Sequence, residues 1–524
     1  MLLSDILFDG EYTSSFSPSD VSFTHIVTNT ADLQAGCLFV CLTGRQTDSH
    51  GLMALAAASG ATAILAEDGK AQPLTSNTPV FLVADTHETV ATLFYRFYGI
   101  GNKRCRFVAV TGTNGKTSTS FILAAILAKS GLSVGVVSTV DILLNGSPLP
   151  LTPKEEAATR TMTTPDPAYL YPILCRMADA GADVIVMEAS SHALYLKKLF
   201  PLRFSLGIFT NLSPEHLDFH KDMEDYLSSK VSLFPLCQTA LLNAHSPYTA
   251  EVLRRTSLPT VLCGTNEACE ARLDAFVSEK LPKRATVSEV RSAGSRGTTF
   301  CLTWQGERIS CHTRLAGGYN MENAALAITA SLILGIPIKT AAEGLSSVCH
   351  IPGRLELLTD VNAPFALYID YAHTEAAMRR VLETVRQFRR EGERIVILFG
   401  CGGDRDKSKR AKMGTAAETL ADFSIVTSDN PRTESPTAII RDILRGMPDR
   451  TKRRVIIKRK DAIEYAVAHA KAGDIILLLG KGHETYEITA QGTRPFDEKK
   501  IAADAIALRY HTEESENNGG YPPS

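Results

Sequence analysis

The chain has 524 residues, of which 44% are apolar and 21% are charged, and its formal net charge is −2. This length predicts about three globular domains at roughly 150 residues each, and the near-neutral charge excludes the broadly basic surface of a nucleic-acid or anionic-membrane binder. No stretch approaches the ~18 apolar residues of a membrane span, and neither the first residues nor the scattered cysteines show a secretory pattern, so we expect a cytoplasmic protein.

The N-terminal hundred residues predict a small α/β domain. Short β-branched and apolar runs between turn signals predict strands over 25–30, 37–44 and 61–68. A segment of helical composition that ends on glycine lies between two of them, at 51–60. We place this domain at residues 1–102.

A central domain is predicted from residue 103 to residue 336. It opens with a buried-strand run, a glycine-rich loop, a helical segment and a second strand, which together make one βαβ unit. Hairpins are expected over 265–315, followed by a helix over 320–335. Further apolar strands are predicted at 182–190, 205–213 and 239–244.

Beyond Pro337 and the turn-like segment 350–354, strands and helices alternate again, which predicts a doubly wound unit at residues 337–510. The polar tail, residues 511–524, is predicted to be disordered. The predicted fold class is therefore α/β with three domains. The central one is a P-loop, parallel-sheet domain of the ATPase type, and the C-terminal one is Rossmann-like.

The strongest local signal is a glycine-rich loop between a buried strand and a helix. Its backbone N–H groups can converge on phosphate oxygens, Lys116 can place its charge at the β- and γ-phosphates, and the Thr117 hydroxyl can bind magnesium. Two residues separate its glycines, against four in the common P-loop, and the alternative is a glycine-rich turn with an exposed lysine. The predicted ATP-binding residues are Gly112, Thr113, Asn114, Gly115, Lys116, Thr117 and Ser118.

This shortened loop, TGTNGKTS, resembles the ATP loop of the Mur ligases and of the related folylpolyglutamate synthetases. The segments MEASSHAL, FTNLSPEHLDFH and DMEDYLSSKVSLF follow in the order found in the central domain of Mur ligases. The resemblance implies that Thr117, Glu188 and His216 hold two magnesium ions, and that a carbamylated Lys230 adds an oxygen ligand. With Lys116, these are the implied catalytic residues. Glu188 ends a predicted strand, where a carboxylate can face a neighbouring P-loop, and its alternative is a solvent-exposed loop residue. Taken alone, His216 would be a hydrogen-bonded loop histidine and Lys230 a solvated helix lysine.

Other segments resemble the family's nucleotide and substrate motifs. The resemblance implies that Asn323 meets the adenine, that Arg354 contacts ATP, and that Asp370 contacts the ribose. Ala31 and Leu196 stand where the family carries an arginine and an amide, whereas Lys198 can still meet a phosphate as a point charge. The implied contacts to the UDP-muramoyl substrate are Thr30, Arg45, Thr163, Thr164, Ser190 and Lys198.

Three motifs follow predicted strands of the third domain, GCGGDRD, DNPR and GKGHE, at the strand ends where doubly wound sheets bind ligands. An arginine pair can fork onto a carboxylate and Glu484 can accept an ammonium. DNPR resembles the diaminopimelate-adding members of the family, which implies that Arg405 and Arg432 hold the distal carboxylate. The implied amino-acid contacts are Arg405, Asp429, Asn430, Pro431, Arg432, Gly480 and Glu484.

The resemblance covers about residues 20–505 and implies a monomeric, ATP-dependent, ADP-forming ligase of peptidoglycan precursor synthesis. It would add meso-diaminopimelate to the D-Glu of UDP-N-acetylmuramoyl-L-Ala-D-Glu through an acyl-phosphate. Three alternatives stay open at this point. They are the same reaction with L-lysine or L-ornithine, a folylpolyglutamate synthetase-like ligase, and a nucleotide-binding regulatory module without catalysis.

Overall fold

The computed structural model describes residues 1–44, 47–160, 162–217, 219–273, 282–360 and 363–518, with side chains up to residue 509. The chain divides into two compact units. Unit 1 comprises Met1–Thr286, Trp304–Glu307 and Leu326–Ala341, and unit 2 comprises Val287–Thr303, Arg308–Ala325 and the chain from Ala342 onward. Among the described residues, no helix has the length and apolar character needed to cross a membrane.

Unit 1 begins with a four-stranded parallel sheet in the order β1-β2-β3-β4. The predicted strands and helix of this region are confirmed, whereas β4 and α2 were not predicted individually. The elements are β1 (His25–Val27), β2 (Cys37–Val40), α1 (Met53–Ala58), β3 (Ala63–Glu67), β4 (Val80–Val83) and α2 (Thr86–Phe97).

The larger sheet of unit 1 has the order β12-β11-β10-β5-β9-β6-β7-β8. Strands β12 to β6 in this order are parallel, and β7 and β8 extend the sheet antiparallel. The strands are β5 (Arg106–Thr111), β6 (Val134–Val137), β7 (Ile142–Leu144), β8 (Ser147–Pro148), β9 (Val184–Glu188), β10 (Leu206–Phe209), β11 (Ala240–Asn243) and β12 (Thr260–Thr265). Strand β5 lies between β9 and β10 and is buried on both faces, which explains its uninterrupted apolar run.

In the described ranges, six α-helices lie between these strands along the chain and a seventh follows β12. The helix that follows the glycine-rich loop begins at Lys116, as predicted, and ends at Lys129 before Gly131, whose φ is +90°. The helices are α3 (Lys116–Lys129), α4 (Pro153–Thr159), α5 (Pro167–Asp179), α6 (Ser191–Tyr195), α7 (Met223–Val231), α8 (Thr249–Arg255) and α9 (Asn266–Leu273).

The hairpin prediction for residues 265–315 is confirmed in its second part and wrong in its first. Residues Asn266–Leu273 form α9, because Ala, Glu, Arg and Leu favour a helix there. The three strands that follow are neighbours in chain order, and residues 274–281 lie outside the described part. The elements are β13 (Lys283–Ser292), β14 (Thr298–Trp304), β15 (Glu307–Thr313), α10 (Gly318–Ile333) and α11 (Ile338–Ser346).

Unit 2 contains a six-stranded sheet in the order β16-β17-β21-β18-β19-β20, parallel except for β16. Its strands are β16 (Glu356–Leu357), β17 (Ala366–Asp370), β18 (Arg394–Phe399), β19 (Phe423–Val426), β20 (Arg453–Val455) and β21 (Asp474–Leu479), and a separate pair is β22 (Tyr486–Thr489) with β23 (Gly492–Pro495). The helices are α12 (Glu375–Phe388), α13 (Ser408–Leu420), α14 (Pro436–Leu444), α15 (Arg459–Ala468) and α16 (Glu498–Asn518).

Helices cover both faces of this sheet. Alternate residues of β18 point into two separate cores, Ile397 toward α12, α13 and α14, and Val396 toward α15 and α16. This arrangement confirms the predicted doubly wound unit and the α/β class. Each predicted domain range contains a parallel sheet, but the boundaries themselves stay predictions. Helix α16 continues to Asn518, so a helix occupies most of the predicted disordered tail, and residues 519–524 lie outside the described part.

Candidate active site

The glycine-rich loop leaves β5 and enters α3 with two glycines in left-handed backbone conformations, Gly112 at φ +145° and Gly115 at φ +84°. The loop packs so tightly that a Cβ on Gly112 would lie 1.9 Å from the Thr210 hydroxyl oxygen. Lys116 Nζ donates to the carbonyls of Gly112 and Thr113, both at 2.9 Å, and so lies over the loop. The loop has the strand–loop–helix form that a phosphate site requires.

The neighbours of β5 bring two predicted segments beside this loop. Parallel register pairs Val110 of β5 with Glu188 at the end of β9, and places the end of β10 on the other side. Beyond β10, the Asn211 side chain accepts from the Asn114 N–H at 3.0 Å, and the Thr210 hydroxyl donates to the Asn114 carbonyl at 2.6 Å. The carboxyl ends of three neighbouring strands therefore form one edge around the loop.

Glu188 is fully buried, and among the described residues Thr139 holds its carboxylate. Thr139 donates its N–H to Oε1 at 3.1 Å and its hydroxyl lies 2.9 Å from Oε2. No lysine, arginine or histidine in the described ranges forms an ion pair with Glu188. A buried carboxylate without a basic partner, at the edge that carries the phosphate loop, fits a cation site. Nothing in the sequence pattern singled out Thr139.

Lys230 reaches the same loop from α7. Its Nζ donates to the Gly112 carbonyl at 2.9 Å and lies 4.6 Å from the centre of the Tyr226 ring. Burial, and then the nearby Lys116 ammonium, lowers the pKa of Lys230 well below its usual value. The interpretation as a solvated helix lysine is thus wrong, because the side chain is buried against the loop.

Thr210 directly follows β10, and His216 lies six residues further along the chain. The backbone of His216 has a left-handed φ of +57°. Its ring centre is 5.0 Å from that of His192 and 6.1 Å from that of Tyr226, and the Tyr226 hydroxyl lies 3.1 Å from the Thr113 hydroxyl. Across the described ranges, no three His, Cys, Asp or Glu side chains form a metal-binding group. A cation here would therefore need donors of other types, such as the Thr117 hydroxyl.

The predicted muramoyl contacts gather around Glu188. The Thr164 hydroxyl donates to the Glu188 carbonyl at 2.8 Å and accepts from the Ser190 N–H at 3.0 Å, while the Thr163 hydroxyl lies 3.0 Å from that of Thr139. Lys198 Nζ is paired with Asp166 at 2.5 Å, just beyond the threonine pair.

The predicted uridine-binding segment follows β1. Thr30 is half-buried and opens a short 3₁₀ helix after β1, in which the Asn29 side chain accepts from the Ala31 N–H at 3.0 Å. Lys154 at the start of α4 holds this helix through Asp32, at 2.6 Å. The predicted contact Arg45 lies outside the described residues.

In unit 2, Asp370 ends β17 and organises the loops that follow it. Its carboxylate accepts from the Leu355 N–H at 2.7 Å and the Ala372 N–H at 2.8 Å, and the Arg354 guanidinium lies 4.9 Å from the Tyr371 ring centre. Burial raises the pKa of Asp370, although the nearby Arg354 opposes this effect. Asn323 is buried in α10, where its amide donates to the Asn320 side chain at 3.4 Å.

The DNPR and GKGHE motifs meet at the carboxyl ends of β19 and β21. Asn430 donates to Glu484 at 2.9 Å and accepts from Lys481 Nζ at 2.9 Å, and a Cβ on Gly480 would lie 2.7 Å from the Asp429 carboxylate. Burial raises the pKa of Glu484, and the Asp429 charge adds to that effect. Lys481, which the sequence did not single out, is fully buried between the two carboxylates.

The GCGGDRD loop after β18 packs on DNPR. Arg432 Nη1 donates to the Gly403 carbonyl at 2.9 Å, and a Cβ on Gly403 would lie 1.9 Å from the Pro431 carbonyl oxygen. A Cβ on Gly402 would lie 2.9 Å from Arg432 Nη1 and 3.8 Å from Arg405 Cγ, so the two side chains are neighbours. Burial lowers the pKa of Arg432, and the charge of Arg405 lowers it further. The amino-acid contacts implied by the sequence therefore gather at one edge of the sheet.

Comparisons with known proteins identify the domains of this chain. The model of the Mur ligase middle domain matches residues 110–331, and that of the Mur ligase glutamate ligase domain matches residues 353–482. The UDP-N-acetylmuramoyl-L-alanyl-D-glutamate–2,6-diaminopimelate ligase of Clostridium botulinum is 35% identical over 476 residues, which cover 90% of this chain and 93% of the relative. The Bacillus cereus ligase of the same name is 35% identical over 500 residues, covering 94% and 95%.

Solved structures of ligases share the fold of this chain over nearly its whole length. One ligase of that name is 26% identical with a TM-score of 0.65, and covers 98% of this chain and 99% of its own. The MurF ligase of Thermotoga maritima in complex with ADP shares the fold at 18% identity and a TM-score of 0.56, covering 94% and 99%. The two matched domains and the phosphate loop define an ATP-dependent, amide-forming ligase. At 35% identity over nearly the full length of its relatives, the chain belongs to the Mur ligase family.

Proposed function

We propose that this ligase joins 2,6-diaminopimelate to the D-glutamate of UDP-N-acetylmuramoyl-L-alanyl-D-glutamate, with ATP as the energy source. The observation that carries the proposal is the convergence of Glu188 and Lys230 on the phosphate loop, since such a set suits phosphoryl transfer rather than nucleotide binding alone. The names of the relatives give the substrates.

The chemistry follows in two steps. The side-chain carboxylate of the substrate's D-glutamate attacks the γ-phosphorus of ATP, the bond to the β-phosphate oxygen breaks, and ADP leaves. The amine of the incoming amino acid then attacks the acyl carbon, loses a proton and expels phosphate as the amide forms. Lys116 and the N–H groups of the loop balance the charge of the transferred phosphoryl group.

Magnesium belongs to this proposal as well. Thr117, Glu188, His216 and a carbamylated Lys230 would hold it, and it would neutralise phosphate charge during transfer. The buried Glu188 carboxylate and the closeness of Lys230 to the loop support this set. Carbamylation predicts a ¹³C carbamate resonance when the protein is equilibrated with ¹³C-bicarbonate, and its absence in a Lys230→Ala variant.

The amino-acid preference rests on Arg405 and Arg432, which would bind the distal carboxylate, and on Glu484, which would bind an ammonium. Lysine and ornithine lack that carboxylate. Purified protein should form the tripeptide product with meso-diaminopimelate and much less product with lysine or ornithine. Product formation with lysine at an equal rate would contradict the preference, and no product with any of the three would contradict the ligase.

Two further assays separate the remaining alternatives. Glutamate addition to a reduced folate would favour a folylpolyglutamate synthetase-like activity. Full biological activity of a Lys116→Ala variant would favour a regulatory module without catalysis.

We also propose a monomer in the cytoplasm, where ATP and the nucleotide-linked substrate are available. Size-exclusion chromatography with light scattering tests whether the protein is a monomer.

A further inference from the structure

Behind the amino-acid end of the site lies a buried ion-pair network centred on Arg410, in the first turn of α13. The Arg410 side chain is 1% exposed. Its guanidinium donates to both oxygens of Glu434, at 3.0 and 2.8 Å, and to Asp442 at 3.1 Å. It also donates to the Gly402 carbonyl at 3.3 Å, so the network reaches the GCGGDRD loop directly.

Glu434 extends the network to the same loop. Its Oε1 accepts from the Asp404 N–H at 2.6 Å, and the hydrogen bonds from Arg410 lower the pKa of Glu434 to about 2. In return, the Asp404 carboxylate accepts from the Thr433 N–H at 3.1 Å and from the Thr433 hydroxyl at 2.8 Å. The loop and the residues that follow DNPR are thus bonded to each other in both directions.

The two segments are held in a strained form. Asp404 and Arg432 both adopt left-handed backbone conformations, with φ of +52° and +51°, which residues with a Cβ adopt rarely. Such conformations persist where surrounding contacts fix them. Arg432 stands on one segment and Arg405 on the other, so the bonds between the segments set how the two guanidinium groups face each other.

We infer that Arg410 and Glu434 are positioning residues that set the geometry of Arg405 and Arg432, and thereby the preference for an amino acid whose side chain ends in a carboxylate. The inference rests on the proposed function. Bidentate recognition of a carboxylate needs its donors held within about 0.5 Å of the productive geometry. In the structure, Arg410 and Glu434 act on the arginine pair through Gly402, Asp404 and Thr433.

The test compares kinetics of the full-length wild type and Glu434→Gln with diaminopimelate, lysine, ATP and the UDP-linked substrate. Glu434→Gln keeps the shape of the side chain but removes the charge that Arg410 binds. We expect the KM for diaminopimelate to rise at least about tenfold and the preference over lysine to fall by a similar factor. The KM values for ATP and for the UDP-linked substrate should stay within about twofold.

Asp474→Asn is the matched control, because it weakens another ion pair of the same sheet, one whose carboxylate is buried. Arg394 donates to Asp474 at 3.0 and 2.8 Å, where β18 and β21 begin, at the opposite edge from the motifs. This control should leave the amino-acid preference unchanged. Should Glu434→Gln fail to fold, Thr433→Val removes one hydrogen bond to Asp404 at an exposed position and should shift the preference in the same direction by a smaller factor.

The outcomes distinguish a failure of the proposed function from a failure of this inference. A wild type that forms no product with diaminopimelate overturns the proposed function and this inference with it. A selective wild type whose Glu434→Gln variant keeps the same preference overturns the inference alone. A uniform loss of kcat with every amino acid, at unchanged preference, shows a merely structural pair and also overturns it.

Discussion

Replacing Glu188 by glutamine removes the charge of this side chain and keeps its shape. Thr139 donates its N–H to one carboxylate oxygen at 3.1 Å, and its hydroxyl lies 2.9 Å from the other. A glutamine carbonyl can keep the first bond. Its NH₂ group can donate to the Thr139 hydroxyl, which can then donate to Thr163, 3.0 Å away. The existing groups keep their partners, but the second N–H of the buried amide gains no acceptor from them, so the free energy of unfolding should fall by about 1–3 kcal/mol at most.

Activity should respond very differently. If Glu188 holds magnesium as proposed, the amide provides a neutral ligand in place of a charged one. We expect kcat/KM to fall by at least about 10²-fold, on the order of 3 kcal/mol of transition-state stabilisation. The magnesium concentration for the half-maximal rate should rise as well, since hard cations prefer charged oxygen ligands.

Phosphate release measured across a magnesium titration, with thermal unfolding of the same samples, tests both halves of this prediction. Asp183→Asn is the control, because it removes an exposed carboxylate charge just before the other end of β9, where Asp183 accepts from the Ser133 N–H at 2.8 Å. Glu188→Gln activity within threefold of wild type at limiting magnesium would refute the reasoning. A large loss of stability would refute the hydrogen-bond exchange.

Three further changes have defined outcomes. Gly112→Ala places a Cβ 1.9 Å from the Thr210 hydroxyl, so the loop must shift and phosphate release should fall about 10²-fold; an unchanged rate would contradict the tight packing. Lys481→Met removes the buried lysine 3.6 Å from the Asp429 carboxylate, although the charge of Arg459 still favours the ionised form, so the free energy of unfolding in urea should fall by about 3 kcal/mol; a loss below about 1 kcal/mol would contradict this. Glu434→Gln should be less stable than wild type above pH 4.5. Because folding lowers the pKa of Glu434 to about 2, this difference should vanish as the pH falls from 4.5 through 2, and a difference that persists at pH 2 would contradict the shift.

Residues at strand ends were predictable from the sequence. In a parallel sheet the carboxyl ends of neighbouring strands meet at one edge, so a polar residue directly after an apolar run marks that edge. Glu188 at the end of β9, and the motifs that begin at Gly480 after β21 and at Gly400 after β18, lie at this edge. The glycine-rich loop is local in sequence, and its conformation follows from two glycines and the helix start.

The supporting residues were not predictable in the same way. Thr139 meets Glu188 across 49 residues, and Arg410 meets Glu434 across 24. Both contacts depend on which elements are neighbours, and periodicity along a chain does not contain that information. In the sequence, Lys481 has the features of an ordinary exposed loop lysine. It becomes a buried cation only because the DNPR and GKGHE motifs pack around it in the fold.

Two lysine side chains meet at the phosphate loop. Lys116 and Lys230 both donate to the Gly112 carbonyl at 2.9 Å, so two side chains that carry positive charge in water meet at one oxygen atom in a buried place. Like charges so close repel strongly where water is excluded. The lowered pKa of Lys230 relieves part of this repulsion through loss of a proton, and an anion such as a phosphate of ATP on the loop would relieve it as well. The positive charge of Lys116 therefore favours a bound phosphate, and ATP binding should weaken with Lys116→Ala far more than with a neutral change elsewhere on α3.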